Sequence, residues 1–209
     1  MKLLLTSGGL RNQSIINELE RLVGKQLAQC KVVYIVTAAN VEFGNKDWLI
    51  KNLDELSSNF SEVEIADIAF KKETWLPRLN WADAIVVGGG HTPYLMEQIM
   101  YSGFQKELPL LLKSKVYVGI SAGSIVATPS TVPNSSSELK KPALHFVNFG
   151  IQPHYESADF PVASTKEKVI KRKTDSDIDY PLYALDDNSA VSVDGGNIAV
   201  ISEGHWDKL

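Results

Sequence analysis

A chain of 209 residues with 25 Asp and Glu against 21 Lys and Arg carries a formal charge of −4. Charges of both signs are interspersed along it, which excludes the basic footprint of a nucleic-acid binder or of a protein drawn to anionic membranes, and no apolar run approaches a membrane span. The length suits one α/β domain over residues 1–209, and the single cysteine, Cys30, excludes an internal disulfide and points to a reducing compartment, so a cytoplasmic protein is expected.

The opening "MKLLLTSGG" is too short in apolar residues for a secretory core and reads as a first strand, Lys2 to Thr6. Ser14 to Leu27 follows, with Ile15, Ile16, Leu19, Leu22, Val23 and Leu27 at helical spacing. A second strand is expected over Val32 to Thr37. A second helix then places Trp48, Leu49, Leu53 and Leu56 on one face. Val63 to Ile68, Ala84 to Val87 and Val116 to Gly119 complete the strand candidates, and their alternation with helical segments is the pattern of βαβ units and a largely parallel sheet. After Ala127 the period is lost in "TPSTVPNSSSELKKPA", which predicts a long surface loop from Thr128 to Pro142. A short apolar segment at Phe149 to Ile151 and a charged helix over Thr165 to Lys173 come next. Finally, Asp194-Gly195-Gly196-Asn197 between two alternating runs signals a hairpin, so antiparallel strands are expected at the C-terminal edge.

Chemistry concentrates at two glycine-rich turns. "GISAG" sets Ser121 between Gly119 and Gly123, after one apolar run and before a helix-compatible stretch, which is the setting of a nucleophile elbow. A serine that merely caps the helix would leave the same pentapeptide. "VVGGGHTPY" puts Gly88 to Gly90 after another buried strand, where bare amides could face an oxyanion alongside that of Ala122. The dinucleotide fingerprint is broken by Pro93, and no Gly-Lys-Ser/Thr follows for a phosphate-binding loop.

A serine nucleophile needs a base. His154 in "FGIQPHYES" emerges where an apolar segment ends and is better placed than His205, which would suit the Ser, acid, His order of α/β-hydrolase esterases. His91 follows the glycine loop and is expected to line the pocket, and His145 reads as a local histidine. Asp186 or Asp187 in "LYALDDNSAV" supplies the orienting acid. No His, Cys, Asp and Glu set has metal-ligand spacing, and no cofactor is expected.

"GGGHT", "GISAGS" and "IQPHY", in this order and at these separations, resemble the peptidase E (aspartyl dipeptidase) family of serine peptidases, with cyanophycinase as a more distant relative. The resemblance runs from "LLLTSGG" to "ALDDN". It implies a three-layer α/β sandwich with a mostly parallel sheet, similar to class I glutamine amidotransferases, and hydrolysis of short peptides after an N-terminal aspartate. It also implies Ser121 as nucleophile, His154 as base, and Gly89, Gly90 and Ala122 as backbone donors to the oxyanion; for the acid, Asp187 aligns with a glutamate of the family, keeping its charge but shortening its reach by one methylene. The expected partner is a small peptide, and the expected state a monomer or homodimer.

Three positions depart from the family pattern. His91 stands where an asparagine is usual, Asn134 where an aspartate sometimes assigned to the triad occurs, and Lys166 at the place of an arginine expected to bind substrate. An amide cannot stabilise an imidazolium as a carboxylate does, and lysine lacks the bidentate fork that suits a carboxylate. The alternative these departures raise is a degraded site kept as a binding or regulatory module.

Overall fold

The computed structural model describes residues 1–131, 141–158 and 164–209. In chain order it contains β1 (Lys2–Thr6), α1 (Gln13–Val23), β2 (Lys31–Ile35), α2 (Asp47–Asn59), β3 (Glu62–Ala66), α3 (Lys72–Trp81), β4 (Ala84–Val87), α4 (Thr92–Ser102), α5 (Phe104–Leu111), β5 (Val116–Ile120) and α6 (Ala122–Ile125). The remainder comprises β6 (Ser130–Thr131), β7 (Lys141–Pro142), β8 (Gly150–Gln152), α7 (Lys166–Asp175), β9 (Leu182–Leu185), β10 (Ser189–Asp194), β11 (Asn197–Ser202) and β12 (Trp206–Lys208).

The main sheet has the order β11-β10-β1-β5-β4-β2-β3 among the described residues. From β1 to β3 every neighbouring pair is parallel, while β10 and β11 add antiparallel strands at one edge. Such a parallel sheet must be covered on both faces, and its strands alternate accordingly. Leu3, Leu5, Ile85, Val87 and Tyr117 face one apolar cluster with Trp75, Leu95, Ile99, Phe104 and Leu108 from α3, α4 and α5. Leu4, Val86, Val116 and Val118 face the other with Ile15, Leu19, Leu22 and Leu56 from α1 and α2. The result is the expected three-layer α/β sandwich. A smaller sheet, β12-β9-β8, sits beside it.

Where element bounds differ from those read off the sequence, local chemistry explains it. Helix α1 starts from Asn12, whose side chain accepts the Ile15 N–H at 3.0 Å, and stops at Gly24, which takes a left-handed φ of 87°. Leu27 therefore belongs to a short 3-10 turn rather than to the helix. The second and third strands end at Ile35 and Ala66, short of Thr37 and Ile68, because Thr37 opens another 3-10 turn and its hydroxyl accepts the Ile68 N–H. The stretch from Thr128 to Pro142 is not wholly a loop: β6 and β7 pair antiparallel at its base, and Ser130 and Thr131 are buried. Residues 132–140 lie outside the described residues, and with them Asn134. The hairpin turns at Gly195-Gly196, with Asp194 paired to Asn197.

Gly123, the second residue of α6, shows how tightly the turn after β5 is packed on its neighbour strand. A Cβ there would fall 1.9 Å from the Val87 carbonyl oxygen. Gly123→Ala is therefore expected to cost at least about 3 kcal/mol, because backbone must move to admit the methyl group, lowering the melting temperature by roughly 6–12 °C. A thermal melt with no shift beyond about 1 °C would show that α6 can slide away freely.

Candidate active site

Ser121 follows the last residue of β5 and precedes α6, with φ 50° and ψ −107°. A non-glycine residue in this region is strained, and the strain lifts the hydroxyl out of the sheet at the carboxyl ends of the parallel strands. The turn is held by the Thr6 carbonyl, which accepts the Ser121 N–H at 3.1 Å and the Ser124 hydroxyl at 2.7 Å. The Ser121 side chain itself makes no capping bond to α6.

The described residues bring three polar side chains into line. Ser121 Oγ lies 2.9 Å from His154 Nε2, and His154 Nδ1 lies 2.7 Å from Asp187 Oδ1. An ionised carboxylate only accepts, so Nδ1 carries the proton toward Asp187 and Nε2 is left to accept from the serine hydroxyl. Burial alone would raise the Asp187 carboxyl, but the hydrogen bond and charge of His154, with help from Ser7 and Arg11, outweigh it and hold the group below its ordinary range.

These side chains line a cavity of about 560 Å³, together with Ser7, Arg11, Glu42, Phe43, Trp48, Gly89, Gly90 and Gln152. A volume of this order suits a small ligand. The glycine loop lies against the serine: a Cβ on Gly89 would sit 3.3 Å from Ser121 Cβ. Ala122 begins α6, so its amide has no intrahelical carbonyl to bind.

Other predicted site residues are elsewhere. His91 does not line this cavity: its Nδ1 accepts the Tyr94 N–H at 3.1 Å as the cap of α4, and the residue borders a separate hollow with Tyr94 and Met96. Lys166 is also absent from the lining and pairs with Asp207 at 2.9 Å. Asp186 turns the other way, accepting from the His205 N–H at 2.7 Å and from Ser189 Oγ at 2.5 Å. His205 stacks on Tyr155, and His145 Nε2 is 2.9 Å from Asn148 Oδ1. Among the described residues no group of three or more His, Cys, Asp or Glu is placed to hold a metal ion, and no helix is long and apolar enough to cross a membrane.

Comparison with known proteins sets this geometry in a family. The model of peptidase family S51 matches residues 3–201. The chain belongs to peptidase family S51. Among relatives, it is 27% identical over 157 residues to the uncharacterized peptidase Lmo0363 of Listeria monocytogenes, covering 71% of this chain and 73% of that one. It is 30% identical over 128 residues to peptidase E of Streptomyces coelicolor, covering 57% of this chain and 52% of the relative, about half its length. In fold it is similar to a crystal structure from L. monocytogenes EGD-e that carries a provisional peptidase E name, with TM-score 0.77, 23% identity and coverage of 97% and 98%. A peptidase from an acI-B1 actinobacterium follows, with TM-score 0.70, 17% identity and coverage of 100% and 93%.

Within this S51 chain, several cavity residues escaped sequence reasoning. Trp48 has the spacing of a core-facing helical residue, yet only Leu49, Leu53 and Leu56 pack on the core while Trp48 faces the cavity. Arg11 and Ser7 sit in "TSGGLR" just beyond β1, and the position of that segment at the carboxyl end of a central parallel strand was the signal available.

Proposed function

We propose that this S51 member is a serine peptidase that hydrolyses short peptides through an acyl-enzyme on Ser121. The observation that carries this reading is the unbroken line from Ser121 Oγ to His154 Nε2, 2.9 Å, and from His154 Nδ1 to Asp187 Oδ1, 2.7 Å. Ser121 Oγ attacks the scissile carbonyl carbon while its proton passes to Nε2, and Asp187 stabilises the imidazolium. The tetrahedral oxygen takes its negative charge toward the amides of the Gly89-Gly90 loop and Ala122. Collapse breaks the C–N bond, and His154 hands the proton to the leaving amine. Water then enters, deprotonated by the same imidazole, and attack on the ester frees the new carboxylate and restores Ser121.

Phe43, Trp48, Ile120 and Ile125 give the cavity apolar walls, and Arg11 is the one arginine or lysine among its described lining residues. Its Nε donates to the Gly8 carbonyl at 2.9 Å and lies 3.5 Å from Glu55, so the guanidinium is braced from behind. Arg11 then takes the place foreseen for Lys166 in binding a substrate carboxylate. Arg11→Met is expected to lower kcat/KM for Asp-X peptides at least about tenfold more than for neutral analogues, the size of one charged hydrogen bond. Equal losses on both substrates would remove Arg11 from substrate selection.

The test of the proposed function is hydrolysis of a panel of dipeptides and aminoacyl-naphthylamides, run beside labelling with an acylating probe. Serine-dependent cleavage and probe attachment at Ser121 are expected. A folded protein that neither cleaves nor labels would instead support the binding-module reading.

A further inference from the structure

The carboxyl end of β1 touches all three members of the Ser121, His154, Asp187 array. Thr6 accepts the Ser121 N–H, as described. The next residue, Ser7, is fully buried. Its Oγ accepts the main-chain N–H of His154 at 2.8 Å and donates to Asp187 Oδ1 at 3.0 Å. That same carboxylate oxygen accepts from His154 Nδ1. One hydroxyl therefore joins the backbone of the imidazole residue to the carboxylate that orients its ring. Because a hydroxyl has one proton to give and lone pairs to accept with, both bonds form without conflict.

We propose that Ser7 is a positioning residue that clamps His154 and Asp187 in register; this rests on the reading of Ser121 as nucleophile. Two features of the site call for such a clamp. His154 has a positive φ of 57°, a conformation that costs about 1–3 kcal/mol in a non-glycine residue and persists only where its surroundings hold it. The bond from its N–H to Ser7 is one such hold. Asp187, for its part, follows β9 and precedes β10, so it sits on a connection between two strands, and the bond from Ser7 fixes which oxygen meets the imidazole. Ser7 can impose this geometry because its own N–H donates to the Ser189 carbonyl at 3.2 Å, which extends the β1–β10 ladder and anchors the hydroxyl to the sheet. Both of its side-chain bonds go to His154 and Asp187, so Ser7 acts on the reaction through them.

The experiment compares wild type, Ser7→Ala, Ser7→Thr and Ser121→Ala by kcat and KM separately, and by the downfield proton NMR line of the hydrogen-bonded His154 Nδ1–H. Ser7→Ala is expected to lower kcat by about 10–100-fold with KM changed less than about twofold, since loosened catalytic groups lose transition-state stabilisation rather than uniform binding. Its downfield line should broaden through exchange with water, and Ser7→Thr, which keeps the hydroxyl, should recover both. A role confined to folding would scale kcat with the folded fraction and leave the line sharp. That result, or an unchanged kcat, overturns the clamp. Should wild type show no Ser121-dependent cleavage, the proposed function fails, while a line still sharp in Ser7→Ala overturns the clamp and its loss upholds it.

Discussion

On the proposed mechanism, Ser121→Ala is expected to lower turnover by about 10⁴- to 10⁶-fold while leaving a residual rate above water, because the proposed oxyanion donors and the cavity remain when only the attacking hydroxyl is deleted. The fold should be nearly untouched. Alanine keeps the Cβ and therefore the same strained backbone, and the Thr6 carbonyl and Ser124 still pin the turn through bonds that do not involve the Ser121 side chain. Steady-state kinetics on a cleaved dipeptide, with intact mass after exposure to an acylating probe, checks both halves. Wild type should gain the mass of one acyl group and the variant none. A loss smaller than about tenfold, roughly 1.4 kcal/mol of barrier, would show that Ser121 is not the attacking group.

By the same proposal, Asp187→Asn should lower kcat by about 10⁴-fold, comparable to loss of the orienting acid in serine triads. The variant amide has an N–H of its own to offer Nδ1, and that bond would put the imidazole proton on Nε2, where Ser121 needs an acceptor. The same substitution has a pH signature in stability. The Asp187 carboxyl is held below its ordinary 3.8 by His154, Ser7 and Arg11 acting against the opposing effect of burial. A depressed pKa means that the ionised form stabilises the native state at pH above 3.8, and that this contribution is lost as pH falls through the folded value. Wild type should accordingly be more stable than Asp187→Asn at neutral pH, with the two curves converging in acid. Denaturant titrations at several pH values measure the gap, and a gap that stays constant into acid would mean that the carboxylate is not held by these partners.

Much of the site was legible in the chain because its signals are local. The four-residue run Ala84–Val87, bounded by Asp83 and Gly88, is a strand with those bounds. Gly119 and Gly123 mark a turn whose close approach to Val87 leaves no room for a side chain. The helices α3 and α5 were harder to see. Each carries an internal proline, Pro77 and Pro109, and neither has a side-chain cap at its N-terminus.

What the sequence by itself determined is the alternation of buried strands and amphipathic helices, the turn that strains Ser121, and the glycine loop before α4, all set by neighbours a few residues apart. Only the tertiary structure separates Asp186 from Asp187, which are adjacent in the chain yet turn one toward Ser189 and the other toward His154, 33 residues away. It likewise removed His91 and Lys166 from the cavity and brought in Arg11 and Trp48. The bond from Ser7 to His154 spans 147 residues. Periodicity tells which face a side chain takes on its own element, but which side chains then meet across the site depends on strand order and register, and these follow from packing over the whole sheet.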